Sequence, residues 1–205
     1  MCGRFTLRTP HTKLLERFGA AVQPRYNVAP TQLVLIVRAL GNERELVPMR
    51  FGLAGPQGQL INARSETAAK KPTFRDSYRE RRCLVPADGF YEWQRIGKQK
   101  QPFFIAMKDQ SGIAFAGLWQ GDAFAILTTE ANELLAPLHD RMPVILDPED
   151  YDLWLDPTTR LDQLPALKPY PADRMEAFPV NPRVNNAAND DARCLEKVEP
   201  DRLLF

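Results

Sequence analysis

The amino-acid sequence predicts a mixed α+β fold with a β-rich core and a few short helices. Apolar segments rich in β-branched and aromatic residues recur at spacings of about ten residues, which is typical of a barrel or a sandwich. Helical periodicity is confined to short stretches, and neither an internal repeat nor a long linker divides the chain. A length of 205 residues fits one ordinary domain. We therefore expect a single domain over residues 1–205.

Six segments are predicted as strands because each is apolar and is bounded by Gly, Pro, Asp or Asn. These segments are 33–39, 45–51, 82–87, 102–108, 113–119 and 123–129. Four short helices are predicted from amphipathic spacing and from N-terminal signals, such as the capping box of Thr73 and Asp76 and the first-turn proline Pro148. They are the segment between Thr9 and Gly19, 73–81, 130–135 and 147–154.

Composition excludes several protein classes. Hydrophobic residues make up 44% of the chain and charged residues 26%, as in globular proteins, so neither disorder nor a coiled coil is expected. The apolar run 33–37 is far shorter than the roughly 18 residues that span a bilayer. The first residues contain no apolar signal segment. We expect an intracellular, cytoplasmic protein that does not contact a membrane.

The charge distribution leaves two interpretations open. The net charge is +1, but residues 1–100 carry 18 Lys or Arg and 8 Asp or Glu, a net +10, whereas residues 101–205 carry 9 and 18, a net −9. Either a basic surface is reserved for an anionic partner such as nucleic acid, or the two halves fold together and neutralise each other.

Motif searches argue against cofactors and metals. The chain contains no G-x-G-x-x-G, phosphate-binding loop, G-x-S-x-G or H-E-x-x-H motif, so nucleotide cofactors and metal-dependent hydrolysis lose support. The three cysteines, Cys2, Cys83 and Cys194, include no C-x-x-C pair, and there are two histidines. Neither a disulfide scaffold nor a structural zinc site is expected.

Cys2 is the first candidate for chemistry. Removal of Met1 would leave a residue that carries both a thiol and a free α-amine. An α-amine has a pKa near 7.7–8.0, so about a tenth of the molecules carry it in the neutral form at pH 7. The neutral amine can act as a nucleophile or a base. The alternative is that a cysteine at this position is accidental.

Three further segments place polar residues in apolar surroundings: Asn62 and Arg64 in 61–67, Glu92 in 87–93 and His139 in 138–146. A carboxylate between aromatic residues is costly to bury without a partner or a purpose. Two simpler interpretations remain open. Glu92 would lie on the solvent face of an alternating strand, and His139 would be a helix-end histidine bonded to backbone.

Six motifs together resemble those of the SOS-response-associated peptidase (SRAP) family. They are MCGRF at the start, RYNVAPTQ at 25–32, INARSET at 61–67, CLVPADGFYEW at 83–93, FAGLW at 115–119 and LHDRMPVIL at 138–146. The resemblance covers about residues 2–190. It implies a compact mixed domain around a β-barrel-like core, and a protein that binds single-stranded DNA and crosslinks covalently to abasic sites. No cofactor is implied, and we expect a monomer.

The resemblance also implies roles for individual residues. Glu92 and His139 would open the abasic sugar ring, and Cys2 would form a thiazolidine with the exposed aldehyde. Asn62 would orient the sugar and the Cys2 end by hydrogen bonding. Residues that would contact DNA are Arg4, Asn27, Phe51, Arg64 and Thr128. One departure affects binding, because the segment 51–56 lacks the tryptophans that stack on bases in the family. Phe51 would retain part of this stacking.

Three alternative functions follow from the same residues. Amino-terminal-nucleophile amidohydrolases also begin Met-Cys-Gly, but they resemble one another in an Asn-Gly motif that this chain lacks. An autoproteolytic cysteine peptidase would use Cys2 to remove a short leader. A chain that kept Met1 would bind DNA without covalent chemistry.

Overall fold

Strands dominate the computed structural model of the protein, which describes residues 2–8, 23–41, 43–56, 58–97 and 99–199. Within these residues the strands are β1 (Phe5–Leu7), β2 (Arg25–Val28), β3 (Leu33–Leu40), β4 (Glu43–Phe51), β5 (Leu53–Gly55), β6 (Gly58–Leu60), β7 (Asn62–Arg64), β8 (Arg82–Ala87), β9 (Gly89–Ile96), β10 (Gln99–Met107), β11 (Ile113–Gln120), β12 (Ala123–Glu130), β13 (Arg141–Pro143), β14 (Ile145–Leu146) and β15 (Met175–Pro179). The described helices are α1 (Ser65–Ala68), α2 (Pro72–Glu80) and α3 (Tyr151–Leu155), with 3-10 turns at Pro148–Asp150, Ala172–Arg174, Pro182–Asn185 and Ala192–Leu195.

Five strands close into a ring in the order β12, β4, β3, β8 and β11, and β11 pairs with β12 to complete it. Closure removes the sheet edges and turns the sheet into a barrel. Side chains alternate between its two faces: Phe115 packs in the cluster that contains Phe5 and Phe51, whereas Ala114 and Ala116 pack in a second cluster. The predicted α+β class with a β-rich core is confirmed, and the core is a barrel and not a sandwich.

A second sheet places the amino terminus. Its strand order is β15, β10, β9, β1 and β2. In this sheet β1 is antiparallel to β9, with Phe5 opposite Phe90 and Thr6 opposite Gly89. Gly89 has no room for a side chain, because a Cβ atom there would lie 2.4 Å from the carbonyl oxygen of Ile105. Because β1 and β9 are antiparallel, the residues before Phe5 lie beside those after Phe90, on the part of β9 that carries Glu92.

All six predicted strands are confirmed as β3, β4, β8, β10, β11 and β12, with shifts of a few residues at their ends. The predicted helix 73–81 is α2, and 147–154 is a 3-10 turn followed by α3. The helix predicted between Thr9 and Gly19 lies outside the described residues. None of the described helices is long and apolar enough to cross a membrane.

The helix predicted over 130–135 is wrong, because this segment forms turns after β12. The side-chain oxygen of Asn132 accepts a hydrogen bond from the backbone N–H of Leu135 at 3.0 Å. This is the bond of a helix N-cap, so a helical turn begins only after Asn132 and not at Glu130. Pro137, two residues later, has no N–H to continue a helix.

Candidate active site at the amino terminus

Cys2 is held beside β9 by the strand that follows it. The backbone N–H of Tyr91 donates to the carbonyl of Arg4 at 3.0 Å, which extends the β1–β9 ladder toward the amino terminus. The Cys2 side chain is fully buried. Burial raises the pKa of its thiol well above the ordinary value, and the charge of Glu92 adds to the rise. The thiol is therefore protonated at neutral pH, and a nearby base must take its proton before it reacts.

Asn62 contacts Cys2 directly. It begins β7, which runs parallel to β12 with Asn62 opposite Ile126. Its Nδ2 atom donates to the carbonyl oxygen of Cys2 at 3.1 Å. Its Oδ1 atom is buried and accepts no hydrogen bond from the described part of the chain. A buried acceptor without a donor is costly, so this oxygen is available to a group that enters the site.

Glu92 is buried in β9, with 2% of its surface exposed. The interpretation that places it on the solvent face is therefore wrong. Burial raises the pKa of Glu92 to about 7, and the negative charge of Asp140 contributes to the rise. A carboxyl group with this pKa is present in both protonation states at neutral pH. It can donate and accept protons in one reaction cycle.

His139 lies in the turns between β12 and β13, not at a helix end. Its Nδ1 atom accepts a hydrogen bond from the backbone N–H of Arg141 at 2.9 Å, which agrees with the part of that interpretation that assigns it a backbone bond. Burial lowers the pKa of His139, while the adjacent Asp140 carboxylate opposes this shift. No described residue bonds Nε2, and the side chain is 30% exposed. The loop that carries His139 thus also carries the Asp140 charge that acts on Glu92.

Arg64 is the predicted DNA contact that is exposed to solvent. It lines an open cavity of about 430 Å³ together with residues of the His139 loop, the segment 131–140 between β12 and β13. The other lining residues are Glu130, Ala131, Ala136, Asp140 and Arg141. This cavity offers a cation and open space next to the loop that bears His139.

Arg4 and Asn27 are turned inward instead of toward a ligand. The Nη1 atom of Arg4 donates to Asn27 Oδ1 and to the carbonyl of Val184, each at 2.9 Å. The Asn27 side chain is fully buried, and its Nδ2 contacts the carbonyls of Val184, Asn186 and Asn189 at 3.1, 3.1 and 2.7 Å. Burial lowers the pKa of the Arg4 guanidinium. These two residues anchor a distant segment of the chain, and their contact with DNA stays a prediction.

Phe51 and Thr128 are also fully buried. Phe51 stacks on Phe124 with ring centroids 5.2 Å apart and meets Phe5 edge-on at 5.6 Å. Both contacts are made within the barrel core, so none of the described contacts supports base stacking by Phe51, and that role stays a prediction. The hydroxyl of Thr128 lies 3.5 Å from the carbonyl of Ala63, inside the barrel wall. Both side chains point inward because alternate residues of a strand face one side.

Sequence reasoning missed one ion pair beside the site. Arg141 donates to both carboxylate oxygens of Glu66, at 2.7 and 2.9 Å. Both residues belong to motifs quoted above, but they are 75 positions apart, and no local pattern connects them. Among the described residues there is no group of three or more His, Cys, Asp or Glu that could hold a metal ion. A larger cavity of about 510 Å³ includes Tyr151, Tyr170 and Arg174 but none of the predicted site residues.

Comparisons with known proteins identify the family. The family model for SOS response associated peptidase (SRAP) matches residues 1–187. The abasic site processing protein YoqW of Bacillus subtilis is 40% identical, and the match covers 96% of this chain and 99% of that protein. The abasic site processing protein YedK of Escherichia coli is 30% identical over 97% of this chain and all of that protein. The mouse abasic site processing protein HMCES is 31% identical over 84% of this chain and 64% of its own length.

Solved structures agree on the fold. A protein from Bacteroides thetaiotaomicron superposes with a TM-score of 0.81 over 97% of this chain and all of that one, at 23% identity. A phage-related protein from Bordetella bronchiseptica gives a TM-score of 0.73 at 29% identity, over 88% of this chain and 94% of that one. Together with the match to the family model, these likenesses confirm the resemblance that the motifs indicated. The chain belongs to the SRAP family.

Proposed function

We propose that this protein processes abasic sites in single-stranded DNA by forming a covalent thiazolidine between Cys2, exposed by removal of Met1, and the ring-opened sugar. The observation that carries the proposal is the contact of Asn62 with Cys2 beside a buried Glu92 whose pKa is near neutrality. The names of the Bacillus and Escherichia relatives, which describe abasic site processing, supply the substrate class. In this proposal the chain acts as one domain and as a monomer inside the cell.

The first step is opening of the sugar. An abasic deoxyribose is mostly a closed hemiacetal, and opening it requires a proton for the ring oxygen and a base for the C1 hydroxyl. Glu92 suits the basic role, because a carboxyl group with a pKa of about 7 is ionised in about half of the molecules at pH 7. His139 suits the donor role through Nε2, which no described residue occupies.

The second step joins Cys2 to the aldehyde. The neutral α-amine attacks the carbonyl carbon, a proton transfer converts the oxygen to hydroxyl, and this group leaves as water to give an imine. The thiol then adds to the same carbon while its proton passes, through Glu92, to the imine nitrogen. The products are a five-membered thiazolidine and one water, with no oxidation or reduction. Asn62 Nδ2 holds the Cys2 carbonyl, and Asn62 Oδ1 is placed to accept a hydrogen bond from the incoming sugar or amine.

Noncovalent binding precedes this chemistry. Arg64 is exposed on the cavity beside the His139 loop and is placed to contact a phosphate. Strands of residues 1–100 and of residues 101–205 are neighbours in both sheets, so the net charge of +10 in residues 1–100 is not confined to one surface. The proposed electrostatic contact therefore depends on Arg64. The absence of tryptophan in 51–56 and the burial of Phe51 leave this chain more dependent on phosphate contacts than on base stacking.

The peptidase activity in the family description is proposed here in a limited form, the removal of a short leader before Cys2 by the Cys2 thiol. A chain carrying such a leader would release it on incubation, and Cys2→Ala would keep it. Intact mass spectrometry separates the two outcomes.

A denaturing gel tests the crosslink. Wild type should form an adduct with an abasic single-stranded oligonucleotide that survives denaturation, and Cys2→Ala should form none. Cys2→Ser keeps the amine but not the thiol, so its adduct should survive only after borohydride reduction. Cys194→Ala is the matched control, because Cys194 is also a buried free thiol but packs in a different cluster from Cys2. Equal adduct from wild type and Cys2→Ala would contradict the proposal.

A further inference from the structure

Arg141 follows His139 by two residues, and its side chain is held by the protein. It is 9% exposed. Its guanidinium donates to both oxygens of the Glu66 carboxylate, at 2.7 and 2.9 Å, and to the carbonyl of Thr128 at 2.6 Å. Parallel bonds between a guanidinium and a carboxylate are the strongest arrangement of such a pair. Arg141 accordingly lowers the pKa of Glu66. Although Arg141 lines the cavity next to Arg64, these donors are occupied by protein acceptors.

The backbone of the same residue fixes the His139 ring. An amide N–H can only donate, so its 2.9 Å bond to Nδ1 requires a lone pair on that nitrogen. In the neutral ring the proton must then lie on Nε2. Asp140 Oδ1 lies 2.8 Å from the same Nδ1, but the Asp140 side chain is 81% exposed. A proton on Nδ1 would bond to Asp140 and break the bond from Arg141, so the two states exclude each other.

We propose that Glu66 and Arg141 form a clamp that holds His139 in the Nε2–H tautomer. The clamp ties the start of β13 to α1 and β12, and so keeps the Arg141 N–H on Nδ1. Glu66 and Arg141 are positioning residues in this account. The inference rests on the proposed function for one point only, that the Nε2 proton is the one delivered to the abasic sugar.

A direct contact of Arg141 with phosphate makes the opposite prediction. If Arg141 bound DNA, Glu66→Gln would weaken the bond between residue 66 and the Arg141 guanidinium. The guanidinium would then be freer to bind phosphate, and DNA affinity would rise. If Arg141 positions His139, the same substitution leaves affinity unchanged and slows the covalent step. We expect a decrease of about 10- to 100-fold in the single-turnover crosslinking rate at saturating protein, the size expected for a small displacement of a reacting group.

The tautomer is measured without DNA by ring-nitrogen chemical shifts of the full chain labelled with ¹⁵N-histidine. Because the chain has two histidines, a His11→Gln background leaves one set of signals. Above the pKa of His139, the parent should show the Nε2–H tautomer alone, and Glu66→Gln a mixture of both. Glu66→Asp should restore most of the parent pattern. Glu45→Gln, which removes the partner of Arg38 on another part of the barrel, is the matched control and should change nothing.

The outcomes separate the two proposals. If the parent shows Nδ1–H, or if Glu66→Gln keeps the parent tautomer, or if it binds DNA more tightly, the clamp is overturned even when crosslinking is normal. If the tautomer responds as expected but wild type forms no crosslink, the clamp stands and the proposed function fails. Arg141→Lys keeps the charge and loses the paired geometry. It serves as the second test if Glu66→Gln does not fold, with the same mixture of tautomers expected and a parent-like tautomer contradicting the clamp.

Discussion

Two buried polar clusters lie within a few residues of each other at the amino terminus, and they differ in how their hydrogen-bonding groups are satisfied. In the Arg4–Asn27 cluster the side-chain groups meet one another and backbone carbonyls from a distant segment. In the Cys2–Asn62–Glu92 cluster, Asn62 keeps a buried acceptor with no donor among the described residues. Burial also shifts the pKa values of Cys2 and Glu92 upward.

The difference separates stabilising residues from reacting ones. A buried polar group with its partners in place contributes to stability, and removing one partner is costly. A group whose charged form is disfavoured by burial lowers stability, and such groups concentrate where proton transfer or nucleophilic attack is needed. We therefore expect substitutions in the first cluster to change folding and those in the second to change chemistry.

The largest expected effect is on the crosslinking rate. Glu92→Gln keeps the size of the side chain but removes the group that exchanges protons, so the single-turnover rate at saturating protein should fall by roughly 10²–10⁴-fold. DNA affinity should change little. An unaltered rate would remove Glu92 from the mechanism and leave it as a buried residue without a chemical role.

The same substitution should stabilise the protein above neutral pH. The pKa of Glu92 rises from 4.5 to about 7 on folding, so between these pH values the folded protein keeps a proton that the unfolded chain has lost. Stability therefore falls as pH rises through this window, by about 3 kcal/mol when complete. Urea unfolding of wild type and Glu92→Gln at pH 4.5 and pH 8 measures the free energy of unfolding of each. The stability of the variant relative to wild type should be greater at pH 8 than at pH 4.5. A constant difference would contradict the assigned pKa.

In the Arg4–Asn27 cluster, we expect a substitution to lower stability strongly and to change the crosslinking rate little. Asn27→Ala should lower the free energy of unfolding by about 3 kcal/mol, because it leaves Arg4 and several buried carbonyls without their partner. The crosslinking rate of the folded fraction should stay within a few-fold of wild type. A variant with normal stability and weakened DNA binding would return Asn27 to the role that the sequence predicted.

The smallest effect compares the two arginines. For single-stranded DNA, the logarithm of the binding constant falls with the logarithm of salt by about 0.7 per phosphate contact. Arg64→Gln should flatten this slope by roughly that amount without loss of stability. Arg4→Gln should leave the slope unchanged and lower the unfolding midpoint. The opposite result would reverse the assignments of the two side chains.

The sequence predicted the barrel better than the site. The long barrel strands are apolar runs such as 82–87, whose pattern is visible locally. The three-residue strands β1, β7 and β13 exist because partner strands pair with them, and no local signal marks them. Arg4 was assigned to DNA from the family resemblance, whereas its bond to the Val184 carbonyl, 180 positions away, has no local signal in the sequence. The burial of Phe51 was not predicted, because its motif position gave no information about which barrel face it occupies.

The central claim is that Cys2 forms the adduct with both its amine and its thiol. Intact mass spectrometry of the crosslink tests it most directly. The account predicts the mass of the protein without Met1 plus the abasic oligonucleotide minus one water, with no gain of hydrogen on borohydride treatment and with the DNA on the amino-terminal peptide. The corresponding Cys2→Ser adduct should gain two hydrogens on reduction. An adduct that retains Met1, or one attached to a lysine, would contradict the claim.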